Sequence, residues 1–234
     1  MIFYLEEATP FPPVELSNED GLLCFGGDLS PDRLIQAYSQ GIFPWADDPV
    51  LWFSPDPRMI IDLNSWKPSK SLKRTFKKAH FTLSVDQHFT TVMDKCAKIR
   101  ESTWISEEFH KNYNELHNMG LAHSFEVSLD NKLVGGLYGI SLGSAFFGES
   151  MFHEATDASK IAFMHLIQFL KHHDFTLLDC QISNDHLIRM GGVDITRKEY
   201  IAALNNALER KANREIGINS VRITSKDKLS YRKL

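Results

Sequence analysis

The chain has 234 residues and a net charge of −4, with 43% hydrophobic and 24% charged residues, a composition typical of a globular protein with one large domain or two modest ones. No apolar run approaches the roughly 20 residues of a membrane-spanning helix, and the acidic, proline-containing start is unlike a secretion signal. Three cysteines without a CxxC pair (Cys24, Cys96, Cys180) indicate reduced thiols and a cytoplasmic location. No Cys/His spacing resembles a zinc site, so we expect no metal.

Basic residues cluster in two places. Residues 66–80 hold six lysines and arginines and no acid, and residues 209–234 hold eight basic and three acidic residues. Local patches of this kind matter more for a polyanionic partner than the net charge does.

The N-terminal part is rich in loops and prolines, with one helix after residue 30. Asp28 or Ser30 caps it, Pro31 occupies its first turn, and Gly41 ends it. Its apolar stripe consists of Leu34, Ile35 and Tyr38. Trp45 follows, and Arg58 then precedes an apolar strand over residues 59–63. We expect residues 1–65 to form a small domain and residues 66–234 a second one.

The basic segment after this boundary predicts an amphipathic helix. Lys70, Lys73, Arg74 and Lys77 follow a spacing of i, i+3, i+4 and i+7, which places them on one helical face. For an arbitrary run of lysines, a solvated surface helix is the more common explanation. The absence of interleaved acids favours a binding face, because solvated faces usually mix the two signs.

The next residues predict regular α/β structure. Strands are expected at 81–85 and 123–129, with helices at 89–100 and 107–119 between them. A further amphipathic helix is expected around residues 200–208, and a short strand at 220–224.

The stretch 133–186 is the most informative. It predicts two paired strands, then a helix with apolar residues near a 3.6-residue period, then a short strand. Polar residues stand at the ends of these strands, namely Glu149, Asp179, Gln181 and Asn184. Open α/β sheets bind ligands at the carboxyl ends of their strands, so we expect the site there.

These side chains suit acyl transfer to an amine, which needs a held electrophile, a neutral amine and donors for an oxyanion. Asp179 and Gln181 alternate by two and should point to the same side. Asp179 could orient the Gln181 amide or draw a proton from an amine, and Gln181 and Asn184 could donate to an oxyanion. A structural polar network is the more common explanation for such a pair alone.

Several longer strings resemble the leucyl/phenylalanyl-tRNA–protein transferase family. They are, in chain order, GLLCFGGDLSPDRLIQAYSQGIFPW, LWFSPDPR, GLAHSFEV, LVGGLYGISLG, GESMF, ASK and DCQISNDHL. The resemblance runs from about residue 21 to residue 200. It implies transfer of leucine or phenylalanine from aminoacyl-tRNA to proteins that begin with Lys or Arg. Some leakage to methionine is expected, because an apolar pocket discriminates by volume and shape. The resemblance also implies a role in N-end-rule degradation and an acetyltransferase-like fold for the C-terminal domain, with no cofactor.

The resemblance assigns roles to individual residues. Glu149 of GESMF would meet the cationic N-terminal residue of the acceptor or its α-amine. Asp179 and Gln181 would form a proton relay or a carbonyl-positioning pair, with Asn184 nearby. The donor side chain would occupy a pocket of apolar residues, namely Leu137, Gly148, Phe163, Leu166, Leu170 and Leu178. By spacing alone, those on the helix are ordinary core positions.

The resemblance also implies the contacts to tRNA. Trp45 and Trp104 match tryptophans that flank the terminal adenosine, where base–aromatic stacking contributes about 1–3 kcal/mol. The basic helix, with Lys70, Lys73, Arg74 and Lys77, matches the cluster that contacts acceptor-stem phosphates.

Two other functions remain as alternatives. A non-catalytic aminoacyl-tRNA binder would need Trp45 and the basic helix but not Gln181. A coenzyme-A-dependent acetyltransferase would need a glycine-rich pyrophosphate loop before the helix. The segment FHEATDASK contains acids and no glycine, which disfavours that alternative.

Overall fold

A computed structural model describes residues 2–6, 9–99 and 105–210; Trp104 and the strand predicted at 220–224 lie outside these ranges. The described residues form a mixed α/β fold. Its strands are Phe3–Leu5 (β1), Leu22–Gly26 (β2), Phe43–Asp47 (β3), Val50–Phe53 (β4), Arg58–Ile61 (β5), Thr82–Val85 (β6), Ala122–Leu129 (β7), Lys132–Leu142 (β8), Ala145–His153 (β9), Leu177–Gln181 (β10) and Gly192–Ile195 (β11). Its α-helices are Pro31–Ser39 (α1), Lys70–Lys78 (α2), Phe89–Lys98 (α3), Glu107–Asn118 (α4), Ala158–His172 (α5), Asp185–Arg189 (α6) and Arg197–Glu209 (α7).

The strands form two mixed sheets. The smaller sheet has the order β1-β2-β4-β3, and the larger one the order β11-β5-β10-β9-β8-β7-β6. Within the larger sheet β9 and β10 run parallel, joined by the crossover helix α5, and their neighbours pair antiparallel.

Side-chain caps fix where several helices begin. The Ser30 hydroxyl accepts a hydrogen bond from the backbone N–H of Arg33, with Pro31 as the first helical residue. Ser69 caps α2 and Ser106 caps α4 in the same way. These contacts satisfy N–H groups that have no partner within the helix. The predicted starts of α1 and α4 are therefore confirmed, with Ser30 rather than Asp28 as the first cap.

The larger sheet has a hydrophobic core on each face. Helices α2 and α5 cover one face, with Leu137, Phe146 and Leu178 in that core. Helices α1, α3, α4 and α7 and the smaller sheet cover the other, with Tyr138 and Phe147. Sequence neighbours enter opposite cores because successive side chains of a strand point to opposite faces.

Strand β5 belongs to the larger sheet, where it pairs with β10 and β11. It is the strand predicted after Arg58, and it precedes the proposed domain boundary at residue 65. The N-terminal part thus reaches into the larger sheet, and the boundary at residue 65 stays a prediction. None of the described helices is long and apolar enough to cross a lipid bilayer.

Candidate active site

The parallel strands β9 and β10 pair over three residues and then separate. Their ladder ends at the pairing of Phe147 with Asp179. Beyond it, the register of each strand shifts, in β9 at Glu149 opposite Tyr138 and Gly139, and in β10 between Asp179 and Gln181. Bulges redirect side chains and interrupt pairing. The result is a gap between two parallel strands with a polar residue on each side. Gln181 ends β10 as predicted, but Glu149 lies in the middle of β9 and not at a strand end, because β9 continues to His153.

The Glu149 carboxylate accepts hydrogen bonds from three elements. The Tyr38 hydroxyl on α1 donates to Oε1 at 2.7 Å, and the Gln181 side-chain amide donates to the same oxygen at 2.9 Å. Tyr113 on α4 donates to Oε2 at 3.3 Å, and its hydroxyl also lies 2.6 Å from that of Tyr38. These contacts fix the carboxylate at the edge of the gap.

Burial raises the pKa of Glu149 to about 7. Hydrogen bonds from Tyr38, Tyr113 and Gln181 lower this pKa because they favour the charged carboxylate, whereas the nearby Asp179 charge raises it. A carboxylate with this pKa exchanges a proton near neutral pH. That property suits a general base.

The Asp179 carboxylate is fully buried and has its acceptor positions filled. Oδ1 accepts from Arg58 Nε at 2.9 Å and from the Gln181 backbone N–H at 2.8 Å. Oδ2 accepts from Arg58 Nη2 at 2.7 Å and from the Tyr200 hydroxyl at 2.8 Å. A carboxylate has about four lone-pair sites, and four donors use them. Of the two roles considered for Asp179, the geometry favours orienting Gln181 over drawing a proton from an amine.

Gln181 has left-handed backbone geometry, with φ of +64°, which costs a non-glycine residue roughly 1–3 kcal/mol. Asp179 Oδ1 stabilises this backbone geometry because it accepts a hydrogen bond from the Gln181 N–H, as in an Asx turn. Asp179 and Gln181 point to the same side of the larger sheet, as predicted, since their partners Tyr200 and Glu149 lie on the face covered by α1, α4 and α7. The alternation is not regular, because the strand bulges between the two residues. Gln181 faces Glu149 through this turn.

Asn184 lies outside the Glu149 cluster. It is exposed, and its Oδ1 accepts from the Leu187 N–H as the N-cap of α6. Its Nδ2 lies 3.5 Å from the Ile182 carbonyl oxygen. The structure therefore gives Asn184 a local capping contact, and donation to an oxyanion stays a prediction.

The residues expected to form the donor pocket lie mostly on the other side of the larger sheet. Five of them belong to the core beneath α5, namely Leu137, Phe163, Leu166, Leu170 and Leu178. Gly148 is part-buried in the gap, and a Cβ there would meet the Asp179 carbonyl oxygen at 3.5 Å. Glu149 contacts α1 and α4 on the opposite face of the sheet. The gap therefore lies between Glu149 and the apolar residues beneath α5.

Trp45 and the basic helix lie at the surface. Trp45 on β3 is 40% exposed and packs edge-on against Phe53. Two residues earlier, Phe43 contacts the Arg58 guanidinium, so β3 reaches the arginine that binds Asp179. The predicted basic helix forms as α2, with Leu72 buried; Lys70, Arg74 and Lys77 are exposed and Lys73 is part-buried.

Four further residues of the site were not expected from the sequence: Tyr38, Arg58, Tyr113 and Tyr200. The tyrosines stand at positions of helical apolar stripes, so they are expected in the core. The sequence held one indication for Arg58. Arg58 is a charged residue at the start of an apolar strand, and a charge that is buried there needs a partner.

A family model described as "Leucyl/phenylalanyl-tRNA protein transferase" matches residues 60–205, and a second, for the N-terminal domain of that family, matches residues 27–56. Both regions contribute to the site, since Tyr38 lies in the second match and Glu149 in the first.

Curated relatives named leucyl/phenylalanyl-tRNA–protein transferase match most of the chain. The one from Nitrosomonas europaea is 50% identical over 89% of this chain and 92% of its own length. The one from Anaeromyxobacter dehalogenans is 46% identical over the same shares, and the one from Legionella pneumophila (strain Lens) is 50% identical over 85% and 91%. A solved structure of FemX matches with a TM-score of 0.45 and 14% identity, covering 73% of this chain and 70% of FemX. The matches of the family models and of these relatives show that this chain belongs to the leucyl/phenylalanyl-tRNA–protein transferase family.

Proposed function

We propose that this chain transfers leucine or phenylalanine, with some methionine, from aminoacyl-tRNA to the α-amine of proteins that begin with Lys or Arg, at the gap between β9 and β10. As a family member it is an aminoacyltransferase that uses tRNA as donor and protein as acceptor. The product would enter N-end-rule degradation, and we propose that the reaction takes place in the cytoplasm.

In this reaction the acceptor α-ammonium loses two protons to become an amide N–H, and the leaving ribose oxygen gains one. Glu149 takes a proton from the acceptor α-ammonium, whose ordinary pKa is about 7.7–8.0. The amine nitrogen then attacks the ester carbonyl, forming a C–N bond, and the C–O bond to the terminal ribose breaks. After the attack the nitrogen gives up a second proton to become the amide N–H, and the ribose oxygen gains one proton as it leaves. The proton held by Glu149 is released to solvent, so the two protons lost by nitrogen are both accounted for.

Gln181 has two uses in this scheme. Its amide N–H group donates to Glu149 and favours the ionised carboxylate that acts as base. Its side chain also stands beside the gap, where it can orient the ester carbonyl. Asp179 holds the Gln181 backbone and takes no proton itself, because its four acceptor positions are filled.

The gap would let the aminoacyl group of the donor extend through the sheet from one face to the other. The ester would sit beside Gly148, with the amino-acid side chain towards Leu166 and Leu170 beneath α5. The acceptor amine would meet Glu149 on the opposite face. An acetyltransferase-like fold for the C-terminal domain is part of this proposal. It is supported by the order strand, strand, helix, strand over β8–β10 and by the separation of the parallel pair.

The donor's nucleic-acid part would contact two surfaces. The exposed indole of Trp45 can stack on the terminal adenine, together with Trp104, and the basic face of α2 can neutralise acceptor-stem phosphates.

The observation that carries the proposal is Glu149, with its pKa near 7 and three donors at the edge of the gap. The test is transfer of labelled leucine from charged tRNA to an acceptor that begins with Arg, compared with the same acceptor beginning with Met. We expect transfer to the Arg-initiated protein with no coenzyme added.

Glu149→Gln keeps the shape of the side chain and removes the base. Loss of a general base typically costs 10²–10⁴-fold in rate. We expect kcat to fall by about that factor while the Kd for charged tRNA stays unchanged. Full activity in this variant would remove Glu149 as the base, and absence of transfer by the parent protein despite tRNA binding would point to a non-catalytic aminoacyl-tRNA binder.

A further inference from the structure

Arg58 joins two segments that meet at Glu149. Its Nε and Nη2 form the paired contact with Asp179, and its Nη1 donates to the Gly41 carbonyl at 3.1 Å. Gly41 follows α1, the helix that carries Tyr38. Asp179 precedes Gln181 and accepts its backbone N–H. One guanidinium therefore links the end of α1 to the bulge of β10.

The guanidinium has little freedom to move. It is 1% exposed and lies between the rings of Phe43 and Tyr200, with centroids 4.7 Å and 4.4 Å from Cζ. The Tyr200 hydroxyl also donates to Asp179 Oδ2. A planar, bidentate arginine contact fixes both distance and orientation, which a lysine cannot do.

The end of α1 is itself held closely. Gly41 has a φ of +76°, and a Cβ there would come within 2.8 Å of Tyr200 and Ile201. Helix α7 therefore packs directly on the segment whose carbonyl accepts from Arg58.

We propose that Arg58 and Tyr200 are positioning residues that act through Asp179 and Gly41 to bring Gln181 and Tyr38 onto the same oxygen of Glu149. Neither residue touches the acceptor or the ester. This rests on the proposed function for its effect on catalysis, but its structural half, the placement of the Gln181 side chain, is independent of the reaction.

Tyr200→Phe is the sharpest variant, because it keeps the ring against Arg58 and removes only the hydroxyl, which donates to Asp179 and accepts from Arg58 Nη2 at 3.3 Å. Tyr4→Phe removes a hydroxyl from β1 at the surface and is the control. Arg58→Lys keeps the charge but removes the fork and the hydrogen bond to Gly41, so we expect a larger effect than from Tyr200→Phe. Should that buried variant fail to fold, Tyr200→Phe still decides the question.

The first measurement needs no substrate. In protein labelled with ¹⁵N-glutamine, the Gln181 side-chain amide is assigned by its loss in Gln181→Leu. We expect its resonance to shift and its hydrogen exchange to become faster in Tyr200→Phe, and to stay unchanged in Tyr4→Phe. An unchanged Gln181 amide in Tyr200→Phe would overturn the proposal, whatever the enzyme's reaction proves to be.

The second measurement is the pH dependence of kcat. The groups that face Glu149 come from four elements. They are Tyr38 on α1, Tyr113 on α4, Tyr138 on β8, and Asp179 and Gln181 on β10. Tyr200→Phe should lower kcat about 3- to 10-fold with an unchanged KM for charged tRNA. It should also raise the midpoint of the acidic limb, because a displaced Gln181 no longer favours the Glu149 anion.

A double-mutant cycle separates positioning from a general loss of stability. In the Gln181→Leu background, Tyr200→Phe should change kcat less than twofold and leave the midpoint where it is. Independent, multiplicative losses would show that Tyr200 does not act through Gln181. If the acidic limb survives in Glu149→Gln, the base assignment fails, and the amide resonance alone then judges the positioning proposal.

Discussion

Gln181 donates its side-chain amide to Glu149 across the gap between β9 and β10, at 2.9 Å between Nε2 and Oε1. The two residues are 32 positions apart in sequence, and each stands at a register shift of its strand. This contact joins the two strands where their backbone ladder has ended. It therefore replaces backbone pairing by a contact between two side chains.

Removing the Gln181 amide should slow transfer and alter its pH dependence. A hydrogen bond to a charged group contributes about 1.5–3 kcal/mol, so we expect Gln181→Leu to lower kcat about 10- to 100-fold. The acidic limb should move to higher pH, because this hydrogen bond lowers the pKa of Glu149. The Kd for charged tRNA should not change.

The matched control is Gln87→Leu, which removes a side-chain amide that donates to the Val85 carbonyl before α3. Its pH profile should coincide with that of the parent. A Gln181→Leu enzyme with the parent's kcat would exclude the amide from the reaction.

Glu149 should make the fold less stable as the pH rises. Its folded pKa of about 7 lies above the ordinary value of 4.5, so the folded chain binds the proton more tightly than the unfolded chain does. Its contribution is thus complete below pH 4.5 and is lost as the pH rises through 7, by about 3 kcal/mol. Glu149→Gln should show a smaller fall in the free energy of unfolding across this range. Denaturant unfolding at pH 5 and pH 8 measures it, and equal falls for the two proteins would contradict the pKa.

The basic face of α2 should account for part of the salt dependence of tRNA binding. Lys73→Ala combined with Arg74→Ala should weaken binding and reduce the slope of log K against log salt by about 1 for each phosphate that is no longer neutralised. The control is Lys111→Ala with Lys132→Ala, two exposed lysines outside α2. Equal slopes for the α2 variant and its parent would remove this helix from the tRNA surface.

The core beneath α5 should set the choice of donor. Leu166→Phe adds volume there, and we expect transfer of phenylalanine to fall about 10-fold more than transfer of leucine. Overpacking itself costs about 1–3 kcal/mol of stability. Leu204→Phe, in the core on the other face, is the control for that cost. An unchanged ratio of phenylalanine to leucine transfer in Leu166→Phe would contradict the pocket assignment.

The sequence by itself determined the local elements and the chemical class of the site. Caps such as Ser30 and Ser69, the 3.6-residue periods of α2 and α5 and the glycine-rich pair β8–β9 are local signals, so their structures follow from residues close together in the chain. The strings around Glu149 and Asp179 identified the family and named both residues.

Only the tertiary structure decided what those two carboxylates can do. Glu149 and Asp179 look alike in sequence, yet one meets Tyr38, Tyr113 and Gln181 and gains a pKa near 7, while the other is held by Arg58 and Tyr200. Proton affinity depends on burial and on neighbours that come from distant parts of the chain. Arg58 and Asp179 are 121 residues apart, and no local pattern specifies which buried charge will meet which partner.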